Sequence, residues 1–168
     1  MKFKLLSKRE DSHLMKQYMK LAIEEARRGF NRNDGGPFGA VIVRDGVLLA
    51  TAHNEVLKTN DPTAHAEILV IRKACALLEN YDLSDCEIYS TSEPCPMCFS
   101  AIHWSRLKKL YFGTTRDDVA VIGFDDSLIY DILSGKAKVA QMESINADRD
   151  SCLGLLSEWE AKPDKALY

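Results

Sequence analysis

The residue pattern predicts an α/β fold, a mixed or parallel sheet covered by helices. Three observations carry that expectation. The middle of the chain alternates strand, helix, strand, helix, strand. Asp45-Gly46 separates two short apolar runs as a hairpin turn. Asp61-Pro62 and Pro94 each stand where an apolar helical stretch begins.

The first element is a helix from Ser12 to Arg28, because Met15, Tyr18, Met19, Ala22 and Ala26 recur at the spacing of one helical face and Gly29 can end it. A glycine-rich loop follows (Asn33-Asp34-Gly35-Gly36-Pro37), and then Ala40–Val43 and Val47–Ala50 read as the two strands of the hairpin. Asp61 as N-cap, with Pro62 at the first helical position, predicts a long helix over 63–79. Glu87–Thr91 is a strand, Pro94 starts a helix running to about Arg106, and Lys109–Phe112 is another strand. Further on, the pattern suggests a short helix near 127–133, a strand near 137–143 and a final helix near 151–161.

With 168 residues, 46% of them hydrophobic and 28% charged, the chain reads as one globular domain over 1–168. No run approaches the roughly 18–20 apolar residues that span a bilayer. The N-terminal stretch lacks the apolar segment of a secretory signal, so a cytoplasmic location is expected. Net charge is −3, from 22 basic and 25 acidic residues, which gives a nucleic-acid partner no encouragement. Residues 145–168 are acidic too, and a basic tail for gripping RNA phosphates is missing there. Five cysteines, an odd number, argue for reduced thiols. Cys75, Cys86 and Cys152 read as small buried hydrophobes. Cys95 and Cys98 do not.

His65-Ala66-Glu67 falls in the first turn of one expected helix, and Pro94-Cys95-Pro96-Met97-Cys98 begins the next. Cysteines three apart on a helix share a face, and a helix N-terminus favours their deprotonated form. His65, Cys95 and Cys98 make three zinc ligands and leave a fourth position for water, the pattern of a catalytic site. Zinc lowers the pKa of that water towards about 7, and Glu67 would take its proton and pass it to the substrate. A bare Cys-x-x-Cys also suits a redox pair or half of a structural zinc site. The first has no need of His-x-Glu upstream. The second needs a fourth protein ligand, for which His53 and His103 are the candidates. His103 lies five residues past Cys98, turned away from it, and reads as a packing or surface residue; His53 reads as an ordinary polar residue ending a strand.

H-A-E followed by P-C-x-x-C resembles the signature of the cytidine-deaminase-like superfamily, in which the glutamate is the acid and base and not a ligand. The resemblance runs from about Gly35 to Asp131 and is nearest in pattern to the bacterial guanine deaminases, with plant guanosine deaminases beside them. Gly36–Ala40, Asn60–Glu67, Ser92–Cys98 and Gly123–Ser127 carry it. It implies a three-layer α/β/α sandwich with a central mixed five-stranded sheet and one zinc ion per subunit. It also implies conversion of guanine and water to xanthine and ammonia by attack at C2. Asp126 would assist departure of the amine, Phe38 would stack on the purine and Asn54 would hydrogen-bond it. In the bacterial enzymes the C-terminal segment crosses to a partner subunit. Transferred here, that implies a swapped homodimer in which about 145–168 closes the neighbouring site through Tyr168, although the stretch between Asp131 and Ala161 departs from their pattern.

Other readings stay open at this level. Guanosine deamination would need room around N9. tRNA adenosine deamination would attack C6 of an extruded base and show strong salt dependence. Cytosine or aminotriazine rings are further candidate substrates. Outside enzymology stands a binding module that zinc merely staples.

Overall fold

A computed structural model describes residues 8–138 and 142–167, with side chains from residue 12 onward. The chain divides into two compact units, Met1–Ile129 and Tyr130–Tyr168.

The first unit opens with helix α1 (Lys8–Asn31), longer at both ends than its apolar stripe required. Strands β1 (Gly39–Arg44) and β2 (Val47–His53) form the expected hairpin. Asp45 and Gly46 both take positive φ, 51° and 76°, as a two-residue turn matched to the twist of its strands demands. A short helix α2 (Val56–Thr59) then precedes α3 (Ala66–Leu78), β3 (Cys86–Ser92), α4 (Pro96–Trp104) and β4 (Lys109–Thr114). Helix α5 (Arg116–Val121), unforeseen in the sequence, is held by a reciprocal cap between Thr115 and Asp118. Helix α6 spans Ser127–Leu133.

The sheet runs β2-β1-β3-β4, antiparallel at both contacts of β1 and parallel between β3 and β4, so it is mixed. Alternation along β1 divides two apolar clusters between its faces. Ala40 and Ile42 pack with Val70 and Ala74 of α3 and Ile102 of α4, while Val41 and Val43 pack with Tyr18 and Ala22 of α1. Helices thus cover both faces, as expected of the three-layer arrangement. Burying a side chain such as Ile42 or Val70 stabilises by about 1.5–3 kcal/mol.

The expectation of five strands is corrected: among the described residues the sheet has four. The fifth was expected near 137–143, of which 139–141 lie outside the described residues. Ala137 donates its N–H to the carbonyl of Asp131 at 3.1 Å, closing the end of α6 rather than joining a ladder.

Two helix starts also move. Asp61 does not cap α3. Its carboxylate accepts from the backbone and hydroxyl of Thr63, at 2.8 and 2.7 Å, in a local turn, and the helix begins at Ala66. Helix α4 likewise starts at Pro96 rather than Pro94. His65 and Cys95 therefore occupy N-cap positions, with extended ψ of 154° and 167°.

In the second unit, helix α7 (Arg149–Ala161) is the main element, and Leu153, Leu155, Leu156 and Trp159 on it are exposed. Cys152 is exposed as well, against the expectation of a buried thiol. No described helix is long and apolar enough to cross a membrane.

Candidate metal centre and its pocket

The sheet topology gathers the site at one end. Because β1 runs antiparallel to both neighbours, its start meets the ends of β2 and β3. Phe38 precedes β1, Asn54 follows β2, and Ser92 ends β3 just before Cys95. Helices α3 and α4 then point their N-termini at the same place, with His65 and Cys95 as their caps.

There His65 Nδ1 lies 3.6 Å from Cys95 Sγ and 3.5 Å from Cys98 Sγ. A tetrahedron built on zinc–nitrogen bonds of about 2.1 Å and zinc–sulfur bonds of about 2.3 Å has nitrogen–sulfur edges of roughly 3.6 Å. The three donors are thus spaced as one ion requires, and soft sulfur with imidazole is the donor set zinc prefers. Hydrogen bonding from Cys98 and then from His65 pulls the Cys95 thiol down to about 4, while the bond to Cys95, followed by burial, pushes Cys98 up. A divalent cation bound there would favour both sulfurs as thiolates.

Glu67, in the first turn of α3, is 4% exposed. Burial raises its carboxyl above the usual range, and the hydroxyl of Ser90 donates to its Oε1 at 2.8 Å. A buried carboxyl of raised pKa beside three metal donors is a stronger proton acceptor than a solvated one.

A pocket of about 570 Å³ opens on these groups, lined by Gly35, Gly36, Phe38, Asn54, His65, Glu67, Cys95, Phe124 and Asp126 among others. That size lies within the range of small-molecule sites. Phe38 meets Phe124 edge to face, centroids 5.0 Å apart at 87°. The Oδ1 of Asn54 accepts from the N–H groups of Gly36 and Val56 at 3.3 and 3.2 Å, and its own backbone N–H donates to the Phe38 carbonyl at 3.0 Å. Since both bonds engage the oxygen, the Nδ2 donor is left for the pocket. Asp126 is half-buried, its carboxyl raised by burial and then by the charge of Cys95, whereas its exposed neighbour Asp125 accepts from the backbone N–H of Ser127 at 2.9 Å in a local turn.

Of the residues singled out in the sequence, His65, Glu67, Cys95, Cys98, Phe38, Asn54 and Asp126 come together here, and Tyr168 lies outside the described residues. His103 is exposed and stacks edge to face on Phe99, centroids 4.5 Å apart, so it is no ligand. His53 departs from its reading as an ordinary polar residue: it is buried between two carboxylates. Sequence reasoning missed Ser90 and Phe124. Ser90 carried no signal, being one hydroxyl in the strand run EIYST. Phe124 stood inside Gly-Phe-Asp-Asp, whose aspartates drew the attention.

Known proteins agree with this geometry. The family model of the cytidine and deoxycytidylate deaminase zinc-binding region matches residues 12–114. The guanine deaminase of Bacillus subtilis is 51% identical over 113 residues, 67% of this chain and 72% of that protein. Its X-ray structure superposes with a TM-score of 0.86 at 41% identity, covering 91% of this chain and 98% of the other. The tRNA-specific adenosine deaminase of Aquifex aeolicus is 45% identical over 96 residues, 57% of this chain and 63% of that protein. Signature, donor spacing and fold converge, and we conclude that the chain is an aminohydrolase belonging to the cytidine and deoxycytidylate deaminase zinc-binding family.

Proposed function

We propose that the protein hydrolyses guanine to xanthine and ammonia in this pocket, with one zinc ion per subunit on His65, Cys95 and Cys98. The observation that carries the reading is a buried, proton-ready Glu67 beside three zinc-spaced donors, at the floor of a pocket walled by Phe38, Phe124 and Asn54. The likeness to the Bacillus subtilis guanine deaminase supports the choice of ring.

Zinc bound there supplies Lewis acidity that makes a water deprotonable near neutral pH. The protein's own groups do the rest. Glu67, kept in place by Ser90, takes a proton from water and delivers it to N3 as oxygen adds at C2. An amide anion does not leave, so a second proton must reach the exocyclic nitrogen before ammonia departs. Glu67 takes that proton from the hydroxyl now on C2 and passes it to the nitrogen, so that the C2 carbonyl forms as the C–N bond breaks, and Asp126 accepts from the amine and orients its exit. Phe38 stacks on the flat ring, and the Asn54 Nδ2 donor meets a ring or carbonyl acceptor. Such positioning contributes several kcal/mol to the rate.

A homodimer with segment 145–168 seated on a partner, and Tyr168 reaching the partner's substrate, belongs to the same proposal. The exposed apolar residues of α7 support it. Sedimentation reads the dimer, and deletion of Tyr168 should lower turnover while zinc stays bound.

The deciding experiment is ammonia release from purified, zinc-loaded protein given guanine, guanosine, adenosine, cytosine or a tRNA anticodon stem. Guanine should be turned over fastest. Faster release from guanosine would move the substrate to the nucleoside, and activity on tRNA alone would overturn the proposal.

A further inference from the structure

His53 is unused by the chemistry above, yet it is among the most heavily bonded side chains in the protein. It is 5% exposed, with Nδ1 2.8 Å from Glu25 Oε1 and Nε2 2.8 Å from Asp34 Oδ2. Glu55 Oε1 lies 3.5 Å from the same Nε2, and Lys58 holds that carboxylate at 2.9 Å. Glu25 and Asp34 are themselves only 7% and 9% exposed, and Arg28 and the hydroxyl of Thr51 also engage Glu25. Three separate segments are tied through one imidazole: α1 by Glu25, the end of β2 by His53 and the glycine-rich loop by Asp34.

Those segments carry one wall of the pocket. Asn54 adjoins His53, and Gly35 and Gly36 follow Asp34. The Asp34 carbonyl accepts from Leu57 and Lys58, both at 3.0 Å, so the same residue anchors α2, where Val56 and Leu57 also line the pocket. Packing leaves no slack. A Cβ on Gly29 would stand 2.4 Å from the His53 ring, and one on Gly35 would stand 2.1 Å from Asn54 Oδ1. The loop and the asparagine are fitted to each other with the imidazole behind them.

The geometry points to His53, clamped by Glu25 and Asp34, as a positioning residue that sets the Asn54 carboxamide and with it the grip on the substrate ring. It is neither one of the donors His65, Cys95 and Cys98 nor a lining residue of the pocket, so it acts through Asn54 on binding rather than on the proton transfers. This rests on the proposed role of Asn54 in holding the ring.

The test is a double-substitution cycle on the zinc-loaded protein, read as steady-state ammonia release from guanine, with zinc content and variant crystal structures alongside. His53→Gln should raise KM roughly 10- to 100-fold and change kcat by less than about threefold. Asn54→Ala should weaken binding similarly, and the double variant should be no worse than Asn54→Ala alone, because both act through one carboxamide. Asp34→Ala should follow His53→Gln, and Asp34→Asn, which keeps an acceptor for the ring, should recover most of that loss. Should His53→Gln fail to fold, Asp34→Ala carries the same cycle. Additive losses would overturn the inference. So would a crystal structure in which the substituted protein keeps the Asn54 contacts to Gly36 and Val56. Loss of a second metal equivalent in His53→Gln would instead make Asp34, His53 and Glu55 a metal site, and the inference would fall. If the wild type leaves guanine untouched, the substrate reading fails by itself, and the position of Asn54 in the variant crystals still judges the clamp.

Discussion

Two histidines in this protein each stand between two acidic partners, and they do opposite things. His65 faces two sulfurs at 3.6 and 3.5 Å, a spacing that an ion of zinc's bond lengths fills. His53 faces two carboxylate oxygens at 2.8 Å, one at each ring nitrogen, the length of a direct hydrogen bond. Nor are the settings alike. His65 takes the N-cap position of a helix and lines the pocket, and His53 ends a strand outside that lining. One cluster is completed by something that binds. The other is complete as the chain folds, and it spends its bonds on holding a wall still.

The largest effect should come from the open cluster. Glu67→Ala should lower kcat by about 10²–10⁴-fold while zinc content and folding are retained, as turnover and metal analysis will read. A variant that still releases ammonia at the wild-type rate would remove Glu67 from the mechanism. Metal removal comes next. A chelator should lower thermal stability by about 3 kcal/mol relative to protein at an ion concentration of 100 times Kd. Ser90 and Glu67 lie in this region, whereas the hydrogen-exchange protection of the His53 backbone should change little. Asp126→Asn should cost about 10- to 100-fold in kcat/KM for guanine, the value of one charge-assisted hydrogen bond. An unchanged rate would return Asp126 to the role of its neighbour Asp125, a turn residue.

The smallest effect belongs to the closed cluster and appears as pH dependence. Burial alone would raise the Glu25 carboxyl, but hydrogen bonds from Arg28 and His53 outweigh it and hold the group below its ordinary value. The unfolded chain therefore binds this proton first as pH falls. Stability contributed by Glu25 is present above the ordinary carboxylate pKa and is lost as pH drops through the lower folded value. Glu25→Gln should cost on the order of 1 kcal/mol at neutral pH. In denaturation curves that difference should shrink towards zero in acid. A gap that widens in acid would show that Glu25 is not held as a carboxylate.

Legibility in the sequence followed the range of each interaction. The hairpin at Asp45-Gly46 was legible because its cause is local, two residues that tolerate positive φ. The start of α3 was misread by three residues, because Asp61 satisfied its side chain in a turn with Thr63 that competes with helix capping. His53 was legible only as polar. Its partners are 28 and 19 residues away along the chain, and nothing local to Ala52-His53-Asn54 announces them. Ser90 was hidden for the same reason, reaching Glu67 across 23 residues.

What the sequence determined by itself was the chemistry. His65, Glu67, Cys95 and Cys98 sit in short motifs whose spacing is set by single helical turns, and one imidazole with two thiols is a donor set that suits zinc. What only the tertiary structure decided was the environment of those groups. The antiparallel placement of β1 brings the ends of β2 and β3 to one edge, buries Glu67 under Ser90 and sets a clamped His53 behind Asn54. Burial, pKa and the fit of a pocket wall arise from contacts between residues distant in the chain, and those exist only once the sheet has closed.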